Sequence, residues 1–537
     1  MPLITAQGWG WRHAGRKTWA IHDLTFAIEP GERVLLLGPS GAGKSTLLLA
    51  LAGVLGGADE GTEAGRLLVD GQHPSRRAGQ TGLVRQDPES QVVLARVGDD
   101  VAFGCENLGV PPPAIWPRVQ RALDAVKLDV ELSHPSGELS GGQQQRLVLA
   151  GALAMHDDSA DARRPRLLLL DEPTANLDPD GTAAIRRAIG HVVADRSTAL
   201  IVVEHHVDVW LDLVDRVIVL GADGGMAADG RPAEVFAAHG QDLAAQGVWV
   251  PGIALPIALR GRLRSARPEP RSGQTATPWQ PDSSPHTVPF QSPQARTVGT
   301  VPSVRGVGLA IGYAPGRPVR EHLDIDIPSG LSTVITGPNG AGKSTLALTL
   351  AGLLPQLDGQ VATDGTLIPT APELTRRQRR LTRANGAAAL ADPHTWTSHQ
   401  LLTRLGTVFQ QPEHQFVAAS VRAELAVGLD ALRWPASRIA ARVDELLAML
   451  HLDGLAGANP FTLSGGEKRR LSVGTVLASS PSVIILDEPT FGQDRTTWCD
   501  LVRLIGDLLN GGCTVVSVTH DQQFVAVLGE NRIELAP

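Results

Sequence analysis

Residues 84–93, VRQDPESQVV, and residues 408–417, VFQQPEHQFV, are two forms of one string. They belong to a duplication that runs through most of the chain. GPSGAGKST at Gly38–Thr46 is matched by GPNGAGKST at Gly337–Thr345, and LSGGQQQR from Leu139 by LSGGEKRR from Leu463. LLLLDEPTANLD is matched by VIILDEPTFGQD, and an apolar run then ends in His205 in one half and in His520 in the other. Gln86 precedes Ser140 by 54 positions and Gln410 precedes Ser464 by 54, while Asp171 precedes His205 by 34 and Asp487 precedes His520 by 33. Any fold that satisfies one half must therefore satisfy the other, and 537 residues are too many for a single core.

The expected organisation is a first domain over 1–262, a linker over 263–301 and a second domain over 302–537. The stretch Ser265–Pro302 is rich in proline, serine and threonine and has no apolar period, which predicts a flexible, partly extended joint without its own core. The halves differ where loops tolerate it. The first has MHDDSADARRP before its acidic motif. The second places 67 positions between Lys343 and Gln410, against 42 between Lys44 and Gln86, and the extra length includes TRRQRRLTR. That tract reads as a solvated loop or short helix, with a binding patch as the sharper alternative.

A net charge of −8 argues against a protein held to nucleic acid by overall charge. Cys105, Cys499 and Cys513 show no CxxC spacing, so neither a zinc site nor a disulfide framework is expected, and a reducing cytosol is the default compartment. No apolar run reaches the length of about 18 residues that a membrane span needs. The first residues also lack the charged-then-apolar order of a secretion signal. Any action at a membrane would need other chains to cross it.

The chemistry is concentrated in the repeated motifs. RVLLLG and LSTVITG predict buried strands before the glycine-rich loops, and KSTLLLALAGVL and KSTLALTLAGLL predict helices after them. Strand, GxxxxGK[ST] loop and helix together form a phosphate cradle: Gly38, Gly41 and Gly43, like Gly337, Gly340 and Gly342, let main-chain N–H groups face phosphate oxygens. Lys44 and Lys343 are expected to reach the β- and γ-phosphates, with Thr46 and Thr345 completing the loops and Ser45 and Ser344 ligating Mg²⁺. After four apolar residues, Asp171 and Asp487 are placed to hold Mg²⁺, and Glu172 and Glu488 to orient the attacking water. In LSGGQ and LSGGE, Ser140, Gly141 and Gly142, and Ser464, Gly465 and Gly466, can present N–H groups at a helix start.

These motifs together resemble a pair of ABC-transporter nucleotide-binding domains, and the resemblance spans nearly everything except the linker. It implies an α/β fold of two P-loop NTPase domains, each with a RecA-like core, a small antiparallel β-subdomain and a helical subdomain. It implies ATP and Mg²⁺ as cofactors, ATP hydrolysis as the activity, and a head-to-tail pairing of the two domains within one chain. The signature segment of one domain would then complete the site on the other. Gln86 and Gln410 resemble the family's glutamine that senses Mg²⁺ and the attacking water. His205 and His520 resemble its γ-phosphate switch. Tyr313 matches the residue that stacks on adenine, and the first half offers His13 at that place, with Trp11 nearby.

QDPESQ and QQPEHQ resemble the form of this segment in energy-coupling-factor ATPases, which power vitamin and cobalt or nickel uptake. That resemblance implies two membrane partners, a transmembrane coupling protein and a substrate-binding protein, docked beside Glu89, Gln91, Glu413 and Gln415. It also implies a peripheral location on the cytoplasmic face of the cell membrane and no nucleic-acid partner. An ABC-F-type ribosome-associated ATPase also carries two such domains in one chain. It usually joins them by a charged helix, which the proline-rich segment here does not resemble.

Overall fold

Strand β6, Leu167–Asp171, shows how the sheet is built: Leu168 and Leu170 enter one hydrophobic core and Leu167 and Leu169 the core on the opposite face. Strand β3, Arg33–Leu37, does the same with Leu35 and Leu37 against Val34 and Leu36. Side chains alternate across a strand, so an unbroken apolar run is what a sheet covered on both faces requires.

The computed structural model describes residues 1–55, 59–77, 81–86, 88, 90–155, 166–174, 177–205, 207–255, 302–490 and 492–536. The expected linker over 263–301, the polar segment 156–165, Glu89 and Phe491 lie outside the described residues. The chain divides into two units, 1–253 with 492–497, and 254–491 with 498–537.

In the first unit β1 (Ile4–His13), β2 (Ile21–Ile28) and β4 (Gly61–Val69) form an antiparallel sheet in the order β2-β1-β4. The larger sheet runs β5 (Gly82–Val84), β6, β7 (Ala199–Val203), β3, β8 (Arg216–Leu220), β9 (Met226–Gly230). It is parallel except for the β8–β9 pair. Helices Val97–Asn107, Pro112–Ala125 and Gly141–Met155 form a layer whose buried residues join the core on the Leu35 face.

The second unit repeats the plan. Strands β10 (Pro302–Ile311), β11 (Arg320–Pro328) and β13 (Asp358–Thr363) form the antiparallel sheet. Strands β14 (Leu405–Val408), β15 (Val483–Asp487), β16 (Thr514–Val518), β12 (Ser332–Thr336) and β17 (Asn531–Glu534) form the parallel one in that order. Its helical layer is Val421–Ala431, Ala436–Met449 and Gly465–Ala478.

Strand order positions the chemistry. In the first unit β5, β6, β7 and β3 are neighbours and parallel, so their carboxyl ends deliver Gln86, the acidic pair, His205 and the glycine loop to one edge. In the second, β14, β15, β16 and β12 deliver Gln410, Asp487 with Glu488, His520 and the second loop. Ligands of open parallel sheets bind at such an edge. No helix among the described residues is long and apolar enough to cross a membrane.

Candidate active site

Both glycine loops are curled around their own lysine. Gly38, Gly41 and Gly43 have φ of 153°, 82° and 89°, and Gly337, Gly340 and Gly342 have 146°, 79° and 86°. The Lys44 ammonium donates to the carbonyls of Gly38 (2.8 Å) and Pro39 (2.9 Å), and that of Lys343 to Gly337 (3.0 Å) and Pro338 (2.9 Å). Helices Lys44–Leu51 and Lys343–Leu350 start at these lysines, so their first N–H groups open onto the loop. Burial holds the Lys44 ammonium below the usual lysine range, while the carboxylates of Glu172 and Asp171 pull the other way.

Glu172 and Glu488 follow the ends of β6 and β15 in left-handed backbone conformations, φ 50° and 47°. A non-glycine residue there carries strain, and such strain collects at functional sites. Their N–H groups donate to Val203 and Val518 across the sheet, each at 2.9 Å, which fixes both turns. In the first unit the Glu172 carboxylate meets His205 Nε2 at 3.2 Å and accepts from Gln86 Nε2 at 3.0 Å. Burial pushes this carboxyl up, but the charge and hydrogen bond of His205, with Lys44 and Gln86, outweigh it and hold Glu172 below the usual range. Its neighbour Asp171 is raised to about 6 by burial and by the Glu172 charge, against a hydrogen bond from Ser45.

The second unit is wired differently. His520 Nε2 lies 3.1 Å from Asn339 Oδ1 in the glycine loop and 3.8 Å from Glu488. Glu488 is pushed up to about 7 by burial and the Asp487 charge. Gln410 is exposed, whereas Gln86 is partly buried against Glu172.

The signature serines sit at helix starts. Ser464 is the N-cap of Gly465–Ala478 and forms a capping box with Glu467. Ser140 and Gln143 exchange the same pair of bonds before Gly141–Met155. Gly141, Gly142, Gly465 and Gly466 therefore occupy first turns, where N–H groups have no partner within the helix.

The two adenine candidates differ. Tyr313 is 68% exposed. His13 is half-buried, 3.2 Å from the Thr46 hydroxyl and bonded through Nδ1 to Trp11 Nε1 at 3.3 Å. Trp11 is only 3% exposed, so it belongs to the core and offers no open face to a base. Thr345 is buried, and its carbonyl accepts from Thr349 at 2.9 Å.

The ABC transporter family pattern matches residues 21–175 and again 321–491, more than half of the sequence. The chain belongs to the ABC transporter family. A Methanosarcina acetivorans protein named as an ABC transporter ATP-binding protein is 32% identical over 533 residues, covering 95% of this chain and 80% of its own. A Bacillus subtilis protein named as an HMP/thiamine import ATP-binding protein, YkoD, is 29% identical over 547 residues, covering 99% of this chain and 90% of its own. A solved structure described as RNase-L Inhibitor shares the fold at a TM-score of 0.58 and 18% identity, over 98% of this chain and 87% of that one. The expectation of two ABC-type α/β domains is met, and the chain is an ATP-binding ATPase of this family.

The ABC sites suit a hard divalent cation. Asp487 Oδ1 is buried without a hydrogen-bond partner among the described residues, while the Ser344 hydroxyl bonds the same carboxylate. Asp171 and Ser45 form the matching pair. One carboxylate and one hydroxyl leave most positions to water and phosphate, as Mg²⁺ prefers.

Three ties were not visible in the motifs. Arg469, in LSGGEKRR, is buried and donates to the carbonyls of Phe409 (2.9 Å), Gln410 (2.7 Å) and Asp487 (3.5 Å). Burial lowers its guanidinium to about 10, against the pull of Asp487 and Glu488. Glu413 pairs with Lys468 of the signature helix at 2.8 Å. Gln91 and Gln415 turn inward: each braces its own strand end, through Leu83 and Arg85 in the first unit and Thr407 and Phe409 in the second. The only sequence signal for these braces was recurrence of the glutamine in both copies.

The ABC glycine loops make one differential prediction. A Cβ on Gly43 would lie 2.6 Å from the Ala20 carbonyl oxygen, whereas on Gly342 the nearest atom is a Val319 methyl at 3.1 Å. Both exchanges carry left-handed strain of about 1–2 kcal/mol. Gly43→Ala is expected to lower the thermal midpoint more than Gly342→Ala, because backbone yields less readily than a methyl. Equal midpoints in parallel calorimetry would contradict this.

Proposed function

We propose that this chain is the ATP-hydrolysing subunit of an energy-coupling-factor-type importer for a vitamin or a transition-metal ion. Each site would run on the same parts. The glycine loop and its lysine hold the phosphates, the glutamate orients and polarises the attacking water, the histidine contacts the γ-phosphate and the glutamine senses Mg²⁺ and that water. In the first unit His205 and Gln86 also hold the Glu172 carboxylate. Mg²⁺, held by Asp171 with Ser45 and by Asp487 with Ser344, and read by Gln86 and Gln410, would neutralise charge on the β- and γ-phosphates. Tyr313 and His13 are the adenine contacts in this reading, and the signature turns at Ser140 and Ser464 are further phosphate-facing N–H sites.

One observation carries the importer reading. The turn Pro412–Gln415 borders a cleft of about 220 Å³ lined by Gln415, Val417, Val427, Gly428, Thr475 and Leu402. Val417 is 76% exposed and Val427 39%, so the rim is apolar and open. Such a cleft suits an apolar side chain from a partner helix. The name of the Bacillus subtilis relative, an import ATP-binding protein for HMP/thiamine, agrees with this class of partner.

The test replaces Val417 and Val427 by Asp. Gln415 is left alone, because its bonds to Thr407 and Phe409 shape the strand end. Capture of membrane proteins from detergent extracts is expected to fall roughly tenfold, as for loss of an interface anchor. ATP hydrolysis by the isolated chain is expected to persist. Undiminished capture of a membrane partner would refute the docking role, and enrichment of ribosomes on wild-type protein would favour the ABC-F-type reading.

A further inference from the structure

The extra length of the second unit forms a built element. Helix Arg376–Asn385, RRQRRLTRAN, has five arginines and no acidic residue. Arg376, Arg379, Arg380 and Arg383 are spaced i, i+3, i+4 and i+7, which aligns them in one stripe, with Arg377 at its flank. All five are exposed, and none of the ion pairs among the described residues includes them. The nearby Glu373 is already paired with Arg404 at 2.7 Å.

The opposite side of the helix is anchored by amides. Gln378 is 2% exposed and donates to Thr395 O (3.0 Å) and to Gln400 Oε1 (2.8 Å). Gln400 donates in turn to Glu373 O at 3.0 Å. Capping boxes at Thr370 and Thr375 fix the entry. Such anchorage matters, because like charges four apart repel and a helix this short is marginal alone. The fold therefore holds a self-repelling stripe in place and presents it outward.

Its position is informative. The helix is tied to the end of helix Lys343–Leu350 remote from Lys343: Gln378 bonds the Thr395 carbonyl, and the adjoining His394 bonds the Gly352 carbonyl at 3.1 Å. The short helix Ser398–Leu402 joins it to the cleft: Gln400 bonds Gln378, and Leu402 lines the cleft wall.

We propose that this arginine ridge binds the phosphate groups of anionic lipids at a membrane surface, beside the cleft that receives the membrane partner. The choice of a membrane rests on the importer reading above. Guanidinium groups pair with phosphate through two parallel hydrogen bonds. Four in a line about 10 Å long match a plane of headgroups. The helix has no apolar face to insert, so the contact is superficial and sensitive to salt. It also has no aromatic residue to stack on a base, and the chain's net charge of −8 disfavours a long nucleic acid.

The experiment is sedimentation of the full chain with vesicles of phosphatidylcholine alone, or with about one-third phosphatidylglycerol. Wild type is expected to bind the anionic vesicles at least roughly tenfold better, and to lose that preference at about 1 M salt. A variant with all five arginines changed to Gln is expected to lose it while retaining ATP hydrolysis and the wild-type circular dichroism spectrum. A conservative variant with all five changed to Lys is expected to keep most of it. Equal binding to both vesicles, or an anionic preference that survives the Gln variant, overturns the proposal. Selective loss of binding to a single-stranded RNA with vesicle binding unchanged also overturns it, in favour of nucleic acid. Capture through the cleft is scored separately with the Val417 and Val427 variants. Failed vesicle binding by wild type, with capture that the Val417 and Val427 exchanges abolish, removes the ridge alone; capture undiminished by those exchanges, with vesicle binding intact, removes the importer reading alone.

Discussion

Exchanging Glu172 and Glu488 together for Gln is expected to lower steady-state ATP hydrolysis at least about a hundredfold, with ATP still bound. The exchange keeps shape and removes only the carboxylate. Glu172 is buried and Glu488 half-buried, each in a turn fixed by an N–H bond to Val203 or Val518, so the amide side chain occupies the same place. The phosphate-holding parts, Lys44 and Lys343 in their loops, are untouched. Each single exchange is expected to remove more than half of the rate if the two sites are coupled. Turnover is read by phosphate release and binding by equilibrium dialysis. A double variant that hydrolyses at a near-normal rate would end the assignment of both carboxylates.

The second large effect separates the two sites. With Glu488→Gln as background, only the first carboxylate remains, and His205→Ala is then expected to slow turnover on the order of a hundredfold. It is also expected to make the residual rate acid-sensitive. In the wild type, burial alone would raise Glu172, and His205 is the main group that holds it down. Without His205, burial prevails and the carboxyl shifts upward, as burial and Asp487 have shifted Glu488 to about 7. A carboxyl with a raised value is protonated as pH falls through that value, so the residual rate declines on acidification at a higher pH than in the parent carrying His205. The sign for stability follows the same linkage. A depressed Glu172 contributes stability that is present above its unfolded value and lost as pH falls through its folded value, and His205→Ala removes that contribution. A pH profile unchanged by His205→Ala would show that the 3.2 Å contact does not govern the carboxylate.

Strands, glycine loops and acidic pairs were legible because their causes are local. Four apolar residues before Asp171 dictate a strand buried on both faces, and the left-handed turns at Gly41 and Gly43 need glycine wherever the chain goes next. Arg469 was not legible, because its three carbonyl partners come from two other segments of the unit. Nor was the contrast between His205 and His520. The two histidines end equivalent strands, and the difference lies in the partners, Glu172 in one unit and Asn339 in the other. The arginine helix escaped an apolar-period reading because its buried anchor is a pair of amides, Gln378 and Gln400. The sequence shows a charge run there, and only the fold shows which side is held.

Arg469 also gives the second unit a mechanical character. One guanidinium clamps the signature helix, the loop after β14 and the end of β15 at three carbonyls. The equivalent place in the first unit is Gln145, which reaches only the Pro173 carbonyl at 3.4 Å and leaves its Oε1 without a partner among the described residues. Tilting the helical layer against the sheet meets a riveted joint in one unit and a loose pin in the other. A push on the helical layer would reach the strand edge at Asp487 with little play, whereas in the first unit part of the same push would be absorbed at the pin.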